Sequence, residues 1–347
     1  ALGAWDKDMS FEMAESIFDA KQYEDPAMRG RQSMSPLVKL GLVYYEEKVI
    51  RISDMGRKLL NGDITFEEMM LDALLKYQYP NPADSGFQRW TTKPFINALR
   101  LIKRVNDICV ARGNVAKGIS SQEFGIFVLS LKSYEDVDKV ANLLLDFRAE
   151  RAKCANDKEK VDFTNDYIET YLADFNNPIK NCREYTDNMI RYFRMTKYIY
   201  IRGKYDHTYI DLEPRRMTEI NAILENDTGA AKPFTLHDWN KFMGVYGAYQ
   251  LPFESLEKLT TIANEITHEI ETIEGLLNIQ VTPRVIPDNV AALKTYIKEQ
   301  REYRTQIQNL SIKQAVHRDY TKIDDTIESL NDIYTHNKAK LAKKFSI

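Results

Sequence analysis

The sequence predicts a mainly α-helical protein with short β-hairpins: tandem winged-helix (helix-turn-helix) subdomains followed by a helical linker. Three observations carry this. Two aromatic, β-branched strand pairs, "LVYYEE" with "KVIRIS" and "KYIYIRG" with "HTYIDL", each follow a basic helical stretch; such runs around a charged turn mark hairpins. After about Leu251, Leu256, Leu259, Ile262, Ile266, Ile270 and Ile273 recur at three- and four-residue steps, the spacing of an amphipathic helix. Polar connectors at "CANDKEKVDF" and "ENDTGAAKPF" divide the chain, giving expected domains 1–155, 156–250 and 251–347.

The elements follow in order. A short helix is expected from Phe11 to Ala20, broken at Pro26 and Gly30. Ser35 reads as an N-cap with Pro36 at the first helical position and Gly41 as the stop. The first hairpin comes next, then one helix over "SDMGRKLLNGDITFEEMMLDALLKYQYP" that Pro80 ends. Pro94 opens a helix to about Val110, and Ser120 or Ser121 caps the next, with Glu123 in its first turn. Val137, Val140, Leu144 and Phe147 share a helical face. "FTNDYIETYLADF" is helical, and a further helix to about Met195 leads into the second hairpin. Ile323, Ile327, Leu330, Tyr334 and Leu341 extend the helical pattern toward the end.

Bulk properties exclude several classes. The 347 residues contain no apolar run long enough for a membrane span. The start lacks a basic n-region and an apolar h-region, so secretion is not indicated, and it lacks Met, which points to a fragment. Cys109, Cys154 and Cys182 make neither a disulfide framework nor a zinc motif, which suits a reducing cytoplasm. No P-loop, HExxH, GxSxG or dinucleotide fingerprint is present, and the five histidines lack ligand spacing. Glu46 and Lys48 form an ExK arrangement where the first hairpin should turn, and "DKEKVDF" is a similar decoy. No catalytic or metal-binding residue is assigned.

The net charge of −3 hides three basic segments. Residues 26–58 carry seven bases against three acids (+4), 89–117 seven against one (+6), and 183–216 eight against five (+3). Concentrated cations suit a phosphate-binding face. In the first unit the candidates for DNA contact are Arg29, Arg31, Gln32, Ser33, Ser35, Lys39 and Arg51, with Lys93 beyond it. In the second they are Tyr185, Thr186, Asn188, Arg191 and Arg194 on the helix, and Lys197, Arg202, Lys204 and His207 on the wing. Arg pairs with guanine and Gln with adenine, while Ser and Lys side chains hold phosphates. Met189, Ile190 and Phe193 are expected in the core, and the strand tyrosines in cross-strand packing. Winged helices also dock proteins, so shape alone leaves DNA and protein partners open.

Five elements resemble, in order, the N-terminal half of the AlwI-type restriction and nicking endonucleases. They are Arg29, Arg31, Pro36 and Gly41; Arg51, Ile52, Ser53 and Gly56; Gln78, Tyr79 and Pro80; "LLLDFRAERAK"; and Arg191, Tyr192, Phe193, Arg194 and Thr196 with Arg202 and Gly203. The likeness runs from about Trp5 to Glu225 and more loosely through the helical tail. It implies winged-helix recognition subdomains, a helical linker and a Mg²⁺-dependent nuclease domain of the PD-(D/E)xK type. The chain stops at "HNKAKLAKKFSI", about where that nuclease domain would begin.

The resulting expectation is sequence-specific double-stranded DNA binding, as the recognition part of a type IIS-like restriction or nicking endonuclease. Such an enzyme cuts at a distance from a short asymmetric site. The chain itself is expected to be an inactive monomer in the bacterial cytoplasm that needs no cofactor, Mg²⁺ serving the missing domain. A winged-helix transcription regulator and a protein-interaction scaffold fit the same motifs.

Overall fold

The computed structural model describes residues 12, 15, 16, 19, 20, 26–47, 49–203, 208–227, 229, 233–280 and 283–310. These are mainly helical with short antiparallel strand pairs. The chain divides into two compact units, Ala1–Leu251 and Pro252–Ile347. Among the described residues no helix is long and apolar enough to cross a membrane.

The first unit starts with α1 (Pro26–Lys39), β1 (Val43–Glu46) and β2 (Val49–Ile52). The strands pair antiparallel, Val43 opposite Ile52 and Glu46 opposite Val49, so the hairpin forms where expected. The expected break at Gly30 and cap at Ser35 do not. α1 runs continuously, with Pro26 in its first position and Pro36 inside it; that ring withholds one N–H but leaves the remaining ladder intact. Gly41 ends the turn with φ +74°, and a Cβ there would lie 2.4 Å from the Met243 carbonyl oxygen. Glycine is required both for the conformation and for the approach of a distant segment.

The single helix expected next is two, α2 (Asp54–Asn61) and α3 (Phe66–Lys76). Gly62 caps α2 in the left-handed conformation, and Thr65 and Glu68 form a capping box that restarts the chain. α4 (Pro94–Ala111) and α5 (Val137–Arg151) pack together. Between them lie β3 (Ile119–Ser120), a turn boxed by Ser120 and Glu123, and a π-helical stretch, Phe124–Val128. The polar stretch expected to separate subdomains opens α6 (Asp157–Tyr171), which stacks Phe163 on Phe147 of α5 at 5.6 Å.

α7 (Pro178–Met195) leads to β4 (Ile199–Arg202) and β5 (Tyr209–Leu212). This second hairpin is wider than a strand pair: β3 joins it, giving the antiparallel order β3-β5-β4. β3 and β5 thus join across residue 155. α8 (Met217–Asn226) and α9 (Leu236–Gly244) complete the unit. α9 packs on α2, α3 and β1, burying Trp239 and Met243.

The second unit contains α10 (Leu256–Leu277) and a helix through 290–310. Leu259, Ile262, Ile266 and Ile270 are buried with Leu293, Ile297 and Ile307. Arg284 holds the buried Glu274 at 2.6 Å, and the Tyr303 hydroxyl donates to the same carboxylate at 2.9 Å. The pattern expected from Ile323 to Leu341 lies outside the described residues.

Candidate nucleic-acid interface

α7 has two faces because its apolar and polar residues alternate with the helical period. Cys182, Ile190 and Phe193 are buried on one side. Thr186 joins them: it is buried, and its hydroxyl donates to the Cys182 carbonyl at 2.5 Å. It is therefore core rather than surface, although its spacing placed it among the contact candidates. That face comes very close to the π-helical stretch Phe124–Val128. A Cβ on Gly125 would sit 2.3 Å from Thr186 Oγ1, so a side chain there would push α7 away.

The opposite face is open. Asn188, Arg191 and Arg194 are exposed, and Tyr185 is 39% exposed while lying 5.8 Å from the Phe175 ring. Arg191 and Arg194 stand three residues apart, adjacent on the helix surface. Neither has an ion-pair partner among the described residues. The corner from α7 into β4 is fixed by Thr196, which bonds the Phe193 carbonyl and accepts from Tyr198 N–H, and by Lys197 at φ +57°.

Other candidates are already engaged. Lys93 Nζ lies 2.5 Å from Asp227, whose side chain is fully buried and also receives Arg100 at 3.2 Å. Lys39 pairs with Asp84 at 2.7 Å. Arg202 meets Asp211 at 3.2 Å and donates to the Ala116 carbonyl at 3.0 Å. Lys197, mostly exposed, reaches Glu67 at 2.5 Å. Arg51 and Glu46 pair across the first hairpin at 3.2 Å, both exposed, and an exposed pair of that kind opens at little cost. A cation held by a buried carboxylate is different, because breaking the pair strands a charge in low dielectric.

On α1, Gln32, Ser33 and Ser35 are exposed. Arg29 and Arg31 belong to the same helix, but their side chains, like Lys204 and His207, lie outside the described residues. Glu46 ends β1, and the decoy at Asp157 lies on α6 with Asp157 paired to Lys160. Among the described residues no three His, Cys, Asp or Glu side chains gather as a metal-holding group.

Sequence reasoning missed α9. It closes a cleft of about 480 Å³ against the first hairpin and the start of α2, lined in part by Tyr45, Arg57, His237, Asn240 and Lys241. What holds α9 is Lys76, whose side chain is fully buried and donates to the carbonyls of Met243 (2.9 Å) and Val245 (3.0 Å). Asp72 Oδ2 stands 2.6 Å from this ammonium as a charge contact without hydrogen-bond geometry, and its Oδ1 accepts from Gly247 N–H at 3.1 Å. Burial lowers the Lys76 pKa and raises that of Asp72, each against the pull of the other charge. The only sequence signal for this tie was a lysine on the apolar side of a helix.

A family model described as AlwI restriction endonuclease matches residues 38–347. No curated protein matches the chain. Among solved structures, the chain is similar to the BpuJ1 endonuclease binding domain, in its crystal structure with pyrene- and phenanthrene-modified DNA. The identity is 14% over 68% of this chain and 82% of that one, with a TM-score of 0.41, too loose a similarity to transfer a contact or a role.

Proposed function

The chain belongs to the AlwI restriction endonuclease family, and on that premise we propose that residues 1–251 bind double-stranded DNA and read a short sequence through α7. The observation that carries this reading is the open ridge of α7, where Arg191 and Arg194 are exposed beside Asn188 and uncommitted to any acid among the described residues. An α-helix fits the major groove, where Arg pairs with guanine O6 and N7 and Asn with adenine N6 and N7. The β3-β5-β4 sheet at the end of α7 supports a winged arrangement, with the β4–β5 hairpin against the DNA backbone. A monomer presents α7 once, so its site would lack the palindromy that two-fold dimers impose, as a type IIS-like enzyme requires.

Cleavage belongs elsewhere in this reading. No step of strand scission is assigned to the described residues, among which no group of three or more His, Cys, Asp or Glu side chains gathers. The test is selection from a randomised duplex pool with EDTA present, at two salt concentrations. Enrichment of one short non-palindromic sequence is expected, with affinity falling as salt rises. Absence of both enrichment and salt-dependent binding overturns the reading.

A further inference from the structure

We propose that the cleft between α2, the first hairpin and α9 is a clamp for the phosphates of the DNA backbone, with Arg57 on one wall and His237 and Lys241 on the other; this rests on the DNA-binding reading above. His237 and Lys241 are four residues apart on α9 and share a face, and Arg57 of α2 lines the same cleft. All three are exposed, and none has an ion-pair partner among the described residues. The two acids of the lining are already countered from outside it: Glu46 by Arg51 at 3.2 Å, and Asp54 by Lys58 at 3.4 Å, with Tyr246 N–H donating to Asp54 at 3.3 Å. Arg57 and Lys241 therefore leave unspent positive charge in the cleft, and the His237 ring and Asn240 amide add hydrogen-bonding groups beside it.

The walls are set before anything binds. Lys76 bonds the end of α9, and Gly41 lies directly against Met243, so the helix that carries His237 and Lys241 is held in place. A small free anion would gain little at such a solvated site, where charge is screened. A duplex already held at α7 would present its phosphates at high effective concentration, and each contact would release a counterion. Contacts of this type set position and affinity rather than sequence preference.

Arg57→Ala and Lys241→Ala, singly and together in the full chain, test the clamp on the selected duplex and on an unrelated one across a salt series. Each substitution is expected to weaken both duplexes by about tenfold. It should also reduce the slope of log affinity against log salt by about 0.9, leaving the preference ratio unchanged. Arg57→Lys and Lys241→Arg should retain the slope. If the wild type binds DNA and the alanine variants match it in affinity and slope, the clamp is overturned while the DNA-binding reading stands. A changed preference ratio would make the cleft a base reader and overturn it too. The clamp also falls if inorganic phosphate raises the thermal midpoint of the wild type but not of the double variant while their DNA slopes agree, which would mark a small-anion site. If the wild type binds no DNA, both readings fall.

Discussion

The segment 89–117 and the helix α7 make opposite use of positive charge. The first is the more basic by composition, +6 against +3 for 183–216, yet most of its cations face inward or sideways to partners. Lys93 and Arg100 converge on buried Asp227, Arg104 holds Asp138 at 2.6 Å, Lys103 holds Asp107 at 2.9 Å, and Lys117 lies 4.8 Å from the Tyr209 ring centroid. On α7 fewer cations are present, but Arg191 and Arg194 remain open. Charge density in a sequence says how many cations a segment owns. Availability depends on acids that the fold brings from elsewhere, and Asp227 arrives from far along the chain.

The largest effect expected is on the spent side of this contrast. Asp227→Ala removes the counter-charge of two partly buried cations and should destabilise the protein by about 3–5 kcal/mol, read as a lower denaturant midpoint. A loss below ~1 kcal/mol would mean that Lys93 and Arg100 reach solvent easily, and the contrast would dissolve. Lys76→Met should cost about 3 kcal/mol, since it leaves Asp72 and the carbonyls of Met243 and Val245 without their cation.

On the open side the signs reverse. Arg191→Ala should leave stability within about 0.5 kcal/mol and cost about 1–3 kcal/mol of DNA affinity, with relaxed preference at one position of the site. Unfolding curves together with binding to single-base variants of the selected duplex would separate the two effects. A stability loss with unchanged preference would move Arg191 to the spent class.

Acid sharpens the comparison in the second unit. The hydrogen bond from Arg284 holds the Glu274 carboxyl below the usual carboxylate range, against the opposing effect of burial. On acidification the unfolded chain therefore takes up this proton first. The stabilisation is present above the ordinary glutamate pKa and is lost as pH falls through the depressed folded value. The thermal midpoint of the wild type should drop over that window, and the gap to Arg284→Gln should narrow with it. The smallest effect belongs to Lys103→Ala: its exposed pair with Asp107 should contribute only about 0.3–0.5 kcal/mol.

Much of the fold was legible because it depends on local rules. Both hairpins follow from β-branched runs around polar turns, Gly41 from its left-handed stop, and the Ser120–Glu123 box from its three-residue spacing. α7 was legible as a helix with Ile190 and Phe193 inward. What failed needed non-local information. Gly30 signals a break and Ser35 with Pro36 a fresh helix start, yet α1 runs through both without interruption. β3 is two residues long and exists only because β5 is beside it. Thr186 has the spacing of a surface residue and the environment of a core one. The engagement of Lys39, Lys93 and Arg202 was invisible for the same reason, since Asp84, Asp227 and Asp211 come from other elements.

Asp227 also sets a limit on how this molecule can be subdivided. Its carboxylate binds side chains that enter the chain at positions 93 and 100, so a piece ending before it would carry two cations deprived of their anchor. Anyone transplanting the first unit onto another effector would have to take the stretch through Asp227 intact. Retaining α9 as well keeps the lid over the first hairpin. Modular as the two hairpins look on paper, they travel as one cargo.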